Sequence, residues 1–226
     1  MEAKMRPVYE KYITGALNTV EVLQNKENIA WYIVSKQFEF TLSLFALRDI
    51  DVPVNYAIGG LVLAYFDELA EAQEWLRTPA NDVDKQLEIA FEGIDTLHFA
   101  IQLAIFHKLF IEGEKRINKC ALMKHAFESK KYAVELLLQA KPELEFNGDL
   151  LTLFRLVTTH FPWKWWKTYT NAEVPSKLFE LLFNMSFKLV YENYTLPRDH
   201  NNVWKDVGAL YECKMQENHD RQMRGY

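Results

Sequence analysis

The chain has 226 residues, 49% of them apolar and 25% charged, with a formal charge of −5. That length supports one or two domains with a sizeable core, and the acidic balance argues against a general nucleic-acid binder, which would carry a basic excess. Only 8 Gly and 7 Pro are present, too few for a sheet-rich chain built on many tight turns.

Helical periodicity dominates from the start. After "MEAKMRPVYEKY", which is not a signal peptide, apolar residues recur every three or four positions over residues 9–24 and again over 28–47. "RDIDVPVN" is a break, because Pro53 cannot continue a helix. A long helix is predicted over 56–76. It contains "AIGGLVLAYF", the longest apolar run, which is too short to cross a bilayer and leads straight into acids. The glycines at its centre match no phosphate-binding fingerprint. "RTPANDVD" is a loop, with Asp82 or Asp84 placed to cap the next helix. That helix, predicted over 83–110, has the clearest stripe of the chain: Leu87, Phe91, Ile94, His98, Ile101 and Ile105. Further helices are predicted over 121–139, 150–160, 176–193 and from 203 to the end, separated by "AKPELEFNGD" and "ENYTLPRDHNN". The expected fold is an all-α bundle of seven or eight helices. Cys120 and Cys213 lie far apart without metal-ligand spacing, as expected of reduced thiols in a cytoplasmic protein that binds neither membrane nor nucleic acid.

Two sets of carboxylates stand at helical spacing. "DELAEAQEW" carries Glu68 and Glu71, with Glu74 one turn on; "LEIAFEGID" carries Glu92 and Asp95, with Glu88 one turn before. Residues three or four apart share a helix face, where like charges repel. Acidic pairs at this spacing are common on solvated helix faces, but those usually interleave Lys or Arg. Here residues 61–73 and 86–106 contain no Lys or Arg at all. Two facing helices with such pairs would suit a hard divalent ion such as Mg²⁺, which takes oxygen ligands. A third feature is "FPWKWWK" at 161–167. Trp is mostly buried and Lys almost never is, so this is either a core corner with snorkelling lysines or a surface for something flat and anionic.

E-x-x-E, 20 residues, then E-x-x-D resembles the pattern of the all-α NTP pyrophosphatases, the MazG-like and dimeric dUTPase superfamily. "QLEIAFEGIDTLHF" resembles that family's E-L-V-D-x-x-H-F helix, "WKWWK" is typical of its dimeric dUTPases, and "KMQENHDRQMRGY" resembles its K-N-x-x-N-x-x-R-Q-x-x-G-Y tail. Within the superfamily the likeness is to the bacteriophage dCTP/dUTP pyrophosphatases. The resemblance implies a four-helix Mg²⁺-binding core and hydrolysis of a pyrimidine deoxynucleoside triphosphate to the monophosphate and pyrophosphate, in a host cytoplasm if the source is viral. It implies Glu68, Glu71, Glu92 and Asp95 as metal ligands, with a glutamate of the first pair, Glu68 or Glu71, helping to activate water. It implies substrate contacts from Lys164, Lys167, Lys214, Asn218, Arg221, Gln222, Arg224 and Tyr226. His98 reads as a packed, orienting residue, and Gln24, Asn25 and Gln37 are the amides available to read a base.

The chain departs from the family in one respect. "WKWWK" should lie between the acid pairs, yet it comes about 70 residues after Asp95. Two arrangements account for this. One is an internal duplication with halves of about 1–120 and 121–226. Leu153 and Leu156 would then stand where the first acids were, Glu180 would match Glu92, Phe183 would replace Asp95 and Phe187 would match Phe99. The other is a single domain, 1–226, with an inserted segment and a relocated loop. The family forms homodimers; a duplicated chain would be a self-contained pseudodimer.

Overall fold

The computed structural model describes residues 4–79, 83–141, 150–161, 176–194 and 203–225. Among these the chain is all-α, with nine helices: α1 (Met5–Glu21), α2 (Lys26–Leu47), α3 (Val54–Arg77), α4 (Val83–Ile111), α5 (Lys119–Lys124), α6 (Ala126–Leu137), α7 (Leu150–His160), α8 (Ser176–Asn193) and α9 (Val203–Met223). "WKWWK", with Lys164 and Lys167, lies outside the described residues, as do Asp82 and Tyr226; Asp84 falls in the first turn of α4.

The helix boundaries differ from the expected ones where capping intervenes. α1 starts four residues early because Glu88 of α4 accepts the backbone N–H groups of Lys4 and Met5, the latter at 2.6 Å. A carboxylate there satisfies orphan amides and meets the positive end of the helix dipole. Asn25 starts α2 by accepting from the Asn28 amide at 2.9 Å, and Asn118 starts α5 by accepting from Ala121 at 2.9 Å. The single helix expected over 121–139 is α5 and α6. His125 leaves helical geometry (φ −110, ψ 21) between them, with its Nε2 2.9 Å from Glu114 Oε1.

The break at "RDIDVPVN" holds a short strand, β1 (Val52–Pro53), which pairs antiparallel with β2 (Arg116–Ile117). Arg116 reinforces the pairing by donating to Asp51 Oδ1 and to its carbonyl, both at 2.8 Å. α3 and α4 form a helical hairpin, and β1 and β2 tie its open end.

α4 is the centre of the bundle. It packs on α3, α8, α6, α1, α2 and α9, so burial extends well beyond the expected stripe to Ile89, Ala90, Leu97, Ala100, Leu103 and Ala104. By length and composition α4 could cross a membrane, but most of its apolar stretch is buried within the protein. α8 crosses α4 closely at Gly93. A Cβ on Gly93 would stand 2.8 Å from Leu189 Cβ and 2.9 Å from the Ser186 carbonyl oxygen, so only glycine lets the two backbones approach this closely. Leu153, Phe183 and Phe187 are fully buried, whereas Leu156 is exposed.

Candidate functional site

α3 and α4 place their acids on facing surfaces near the unstapled end of the hairpin. Glu68, Glu71 and Trp75 from α3, with Glu88, Phe91, Glu92 and Asp95 from α4, line a cavity of about 410 Å³. Lys4 and Met5 at the start of α1 close one side, and Lys214 and Arg221 of α9 another. One carboxylate oxygen from each of Glu68, Glu92 and Asp95 lies within 4.8 Å of the others. Glu71 is exposed at the rim and stands outside that triad among the described residues; Glu74 is exposed and away from the cavity.

Burial and mutual repulsion dominate the electrostatics. The Glu68 carboxyl is pushed up from the ordinary range by burial, then by Asp95. Glu92 is pushed up by the same two causes and by its hydrogen bond with Glu68. Carboxylates this close resist ionising together, which holds both groups above the ordinary carboxylate range. Burial also raises Glu88, opposed by the two amides it accepts.

The cation already present is Lys214, a residue 7% exposed. Its ammonium donates to Asp95 Oδ2 at 2.7 Å. Burial pulls the ammonium down, but Asp95, then Glu217 and Glu92, outweigh burial and leave it raised. Glu217 in turn holds Arg221, with Oε1 2.5 Å from Nη2. Charges therefore alternate from Asp95 to Lys214, Glu217 and Arg221, from the buried triad to the cavity rim. The signal for Glu217 was in the sequence: it stands three residues after Lys214 and four before Arg221, the spacings at which helical side chains meet.

His98 occupies the other side of Asp95, its Nδ1 3.6 Å from Oδ1. Its ring stands edge-on to Tyr211 with centroids 4.4 Å apart. Tyr211 donates to Gln37 Oε1 at 2.8 Å. Burial, then the Lys214 charge, pushes His98 down to about 3, so it is a neutral packed ring. Gln37 is committed to Tyr211 and Asn25 to its cap, and neither lines the cavity; nor does Gln24.

The structure therefore brings together Glu68, Glu71, Glu92, Asp95, Lys214 and Arg221 and leaves three tail residues off the cavity lining. Asn218 is half-buried, Gln222 has a buried Nε2 with no hydrogen-bond partner among the described residues, and Arg224 donates to the Asp220 carbonyl at 3.1 Å. Sequence reasoning missed Glu88 as the cap of α1 and the apolar wall of Met5, Trp75 and Phe91. An oxygen-only triad facing a cavity has the donor chemistry of a hard divalent cation. Glu68, Glu92 and Asp95 are the residues able to hold one, with Glu71 at the rim.

These shifts give the metal-free protein a pH dependence. The folded state binds protons at Glu68 and Glu92 more tightly than the unfolded chain does, because both are raised from 4.5. Their contribution to stability is complete below that unfolded value and is lost as pH rises through the higher folded values. In chelator, the melting temperature is expected to fall between about pH 6 and about pH 9, and Glu92→Gln is expected to flatten the fall. Melts across that range check it; equal slopes in both proteins would place the protons elsewhere.

No protein-family model, no curated protein and no solved structure matches the chain.

Proposed function

We propose that the cavity is the active site of a Mg²⁺-dependent nucleoside triphosphate pyrophosphatase that hydrolyses dUTP, dCTP or both to the monophosphate and pyrophosphate. The reading is supported by one observation above all: the two acid pairs singled out by their resemblance converge on a single cavity, which also receives Lys214 and Arg221 from the tail motif. Glu68, Glu92 and Asp95 would hold the cation. When bound, it supplies neutralisation of phosphate charge and a lowered pKa for a bound water. Glu71, the most exposed of the four acids, would by the resemblance help to activate the attacking water. Arg221, also at the rim, offers the forked donors that suit a phosphate, and Met5, Trp75 and Phe91 give the cavity an apolar wall. By the resemblance, Lys164 and Lys167 would add phosphate contacts, and the active assembly would be a homodimer or an internal pseudodimer.

The test is pyrophosphate release from each dNTP with Mg²⁺. Release from dUTP or dCTP that Glu71→Gln lowers at least about a hundredfold is expected, the lower end for a missing water-activating group. Absence of release from every dNTP would sink the activity.

A second reading is favoured by a specific observation: Lys214 and Arg221 are already engaged by Asp95 and Glu217. A protein with its cations committed internally would bind nucleotide without turning it over. It would then melt higher with nucleotide and yield no product.

A further inference from the structure

Lys214 is an unusual occupant for a cavity that takes a cation. Its ammonium sits 2.7 Å from Asp95 Oδ2, so it already holds one of the three carboxylates of the triad. A divalent ion held by the same carboxylate would stand a few ångströms from the ammonium, where like charges repel strongly in surroundings less polar than water. Something must therefore happen to Lys214 when the ion arrives. The structure contains a place for it. Glu217 Oε2 is buried, has no hydrogen-bond partner among the described residues, and lies 3.7 Å from the same ammonium. Glu217 and Lys214 are on one helix, one turn apart, so a change of side-chain rotamer closes the gap with no movement of backbone. Met5 Sδ, 4.0 Å from the ammonium, is a soft neighbour that does not compete for it.

We propose that Lys214 is a resident counter-ion that holds Asp95 in the metal-free protein and yields it to a divalent cation by transferring to the waiting Glu217 oxygen. The inference rests on the reading of the triad as a cation site, and it deepens that reading by assigning its regulation. Lys214 keeps the acids from repelling one another when no ion is present, and it lowers the apparent affinity for the ion by the free energy of its own displacement. Glu217 is also the partner of Arg221 at the rim. An anion that draws Arg221 away leaves Glu217 more strongly disposed towards Lys214, so anion binding at the rim and cation binding at the triad reinforce each other.

The experiment is direct binding of Mn²⁺, measured by paramagnetic resonance or calorimetry on the full chain near neutral pH, with and without inorganic pyrophosphate. Lys214→Met is expected to bind Mn²⁺ at least about tenfold more tightly than the wild type without pyrophosphate, because a unit charge close to the ion is gone. Glu217→Gln is expected to bind it more weakly and to lose most of the gain from pyrophosphate. Lys214→Met removes a buried partner and is expected to be unstable without metal, so the wild type supplies an independent measurement. Its Lys214 ammonium resonance, protected from exchange by burial, is expected to shift as diamagnetic Mg²⁺ is titrated in. Equal Mn²⁺ affinity in the wild type and in folded Lys214→Met, or an ammonium resonance unmoved at Mg²⁺ saturation, would overturn the counter-ion role while leaving the cation site intact. Failure of the wild type and of both variants to bind either ion would overturn the cation site and the counter-ion role together.

Discussion

Asp95→Asn is expected to cut pyrophosphate release at least about a hundredfold, since loss of even an outer partner of a metal ligand typically costs ten- to a hundredfold, while leaving the melting temperature almost unchanged. The two expectations have different causes. For activity, Asp95 is one of three carboxylates whose oxygens converge within 4.8 Å, and an amide oxygen carries no charge to hold a divalent ion. For stability, two effects oppose each other. Removing one partner of a buried ion pair usually costs about 3–5 kcal/mol. Here, however, Asp95 is the neighbour whose charge raises both Glu68 and Glu92, second only to burial in each. Once it is neutral, those two ionise more readily and supply the counter-charge that Lys214 needs, while the asparagine oxygen still accepts its hydrogen bond. The net change is expected within about 1 kcal/mol, the ordinary size of a point substitution. Melting curves and the pyrophosphate assay on the same preparation check both halves. Full activity in Asp95→Asn would remove Asp95 from the reaction. Large destabilisation would mean that Glu68 and Glu92 do not act as the substitute.

Gly93→Ala is expected to show the opposite pattern, a loss of stability that carries function away with it. In most helices the change would help, because Ala is favoured over Gly by about 1 kcal/mol in a helix interior. At Gly93 the added methyl meets Leu189 Cβ at 2.8 Å, the Ser186 carbonyl oxygen at 2.9 Å and Val190 Cγ2 at 3.2 Å. A side chain can rotate out of the way, but a carbonyl in the middle of α8 cannot. Overpacking costs typically 1–3 kcal/mol, and a contact with fixed backbone belongs at the upper end. A net loss of about 2 kcal/mol would lower the melting temperature by roughly 4–8 °C in a domain of this size. Because Gly93 stands between Glu92 and Asp95, pushing α8 away also moves both acids, and weaker Mn²⁺ binding is expected alongside. Gly60→Ala is the control. It lies in α3 with nothing within 4 Å of its added methyl, and it is expected to hold or slightly raise the melting temperature. If the two substitutions behave alike, the close crossing of α4 and α8 does not exist in solution.

The architecture was legible in the sequence because helices carry their own period. Residues 28–47, 56–76 and 83–110 were visible from spacing alone and fall within a residue or two of α2, α3 and α4. Errors gathered where distant residues decide local structure. The start of α1 depends on Glu88, far along the chain, and the division between α5 and α6 depends on Glu114 drawing His125 out of line. The strand at Val52–Pro53 needs Arg116 and Ile117 as partners. The centrality of α4 was half visible: its stripe was correct, but its other faces are apolar enough to be buried as well, and a period describes only one face. In the site, the acid pairs were legible because both members of each pair are neighbours on one helix. The placement of Lys214 against Asp95 was not, because nothing in either helix alone records that α9 passes beside α4. Lys164 and Lys167, which the resemblance marks for the phosphates, lie outside the described residues.

The order in which these contacts can form has a consequence for folding. All the acids of the cavity belong to the α3–α4 hairpin, so they meet across a short stretch of chain whose closure is entropically cheap. Lys214 comes from about half the chain later and arrives through a long-range contact, of the kind that forms slowly. A chain on its way to the native state therefore assembles its negative charges first and their relief afterwards. The partly folded hairpin is the species with most to gain from a proton or a dissolved cation, and Lys214, by docking α9, completes the bundle and quiets the charges in one step.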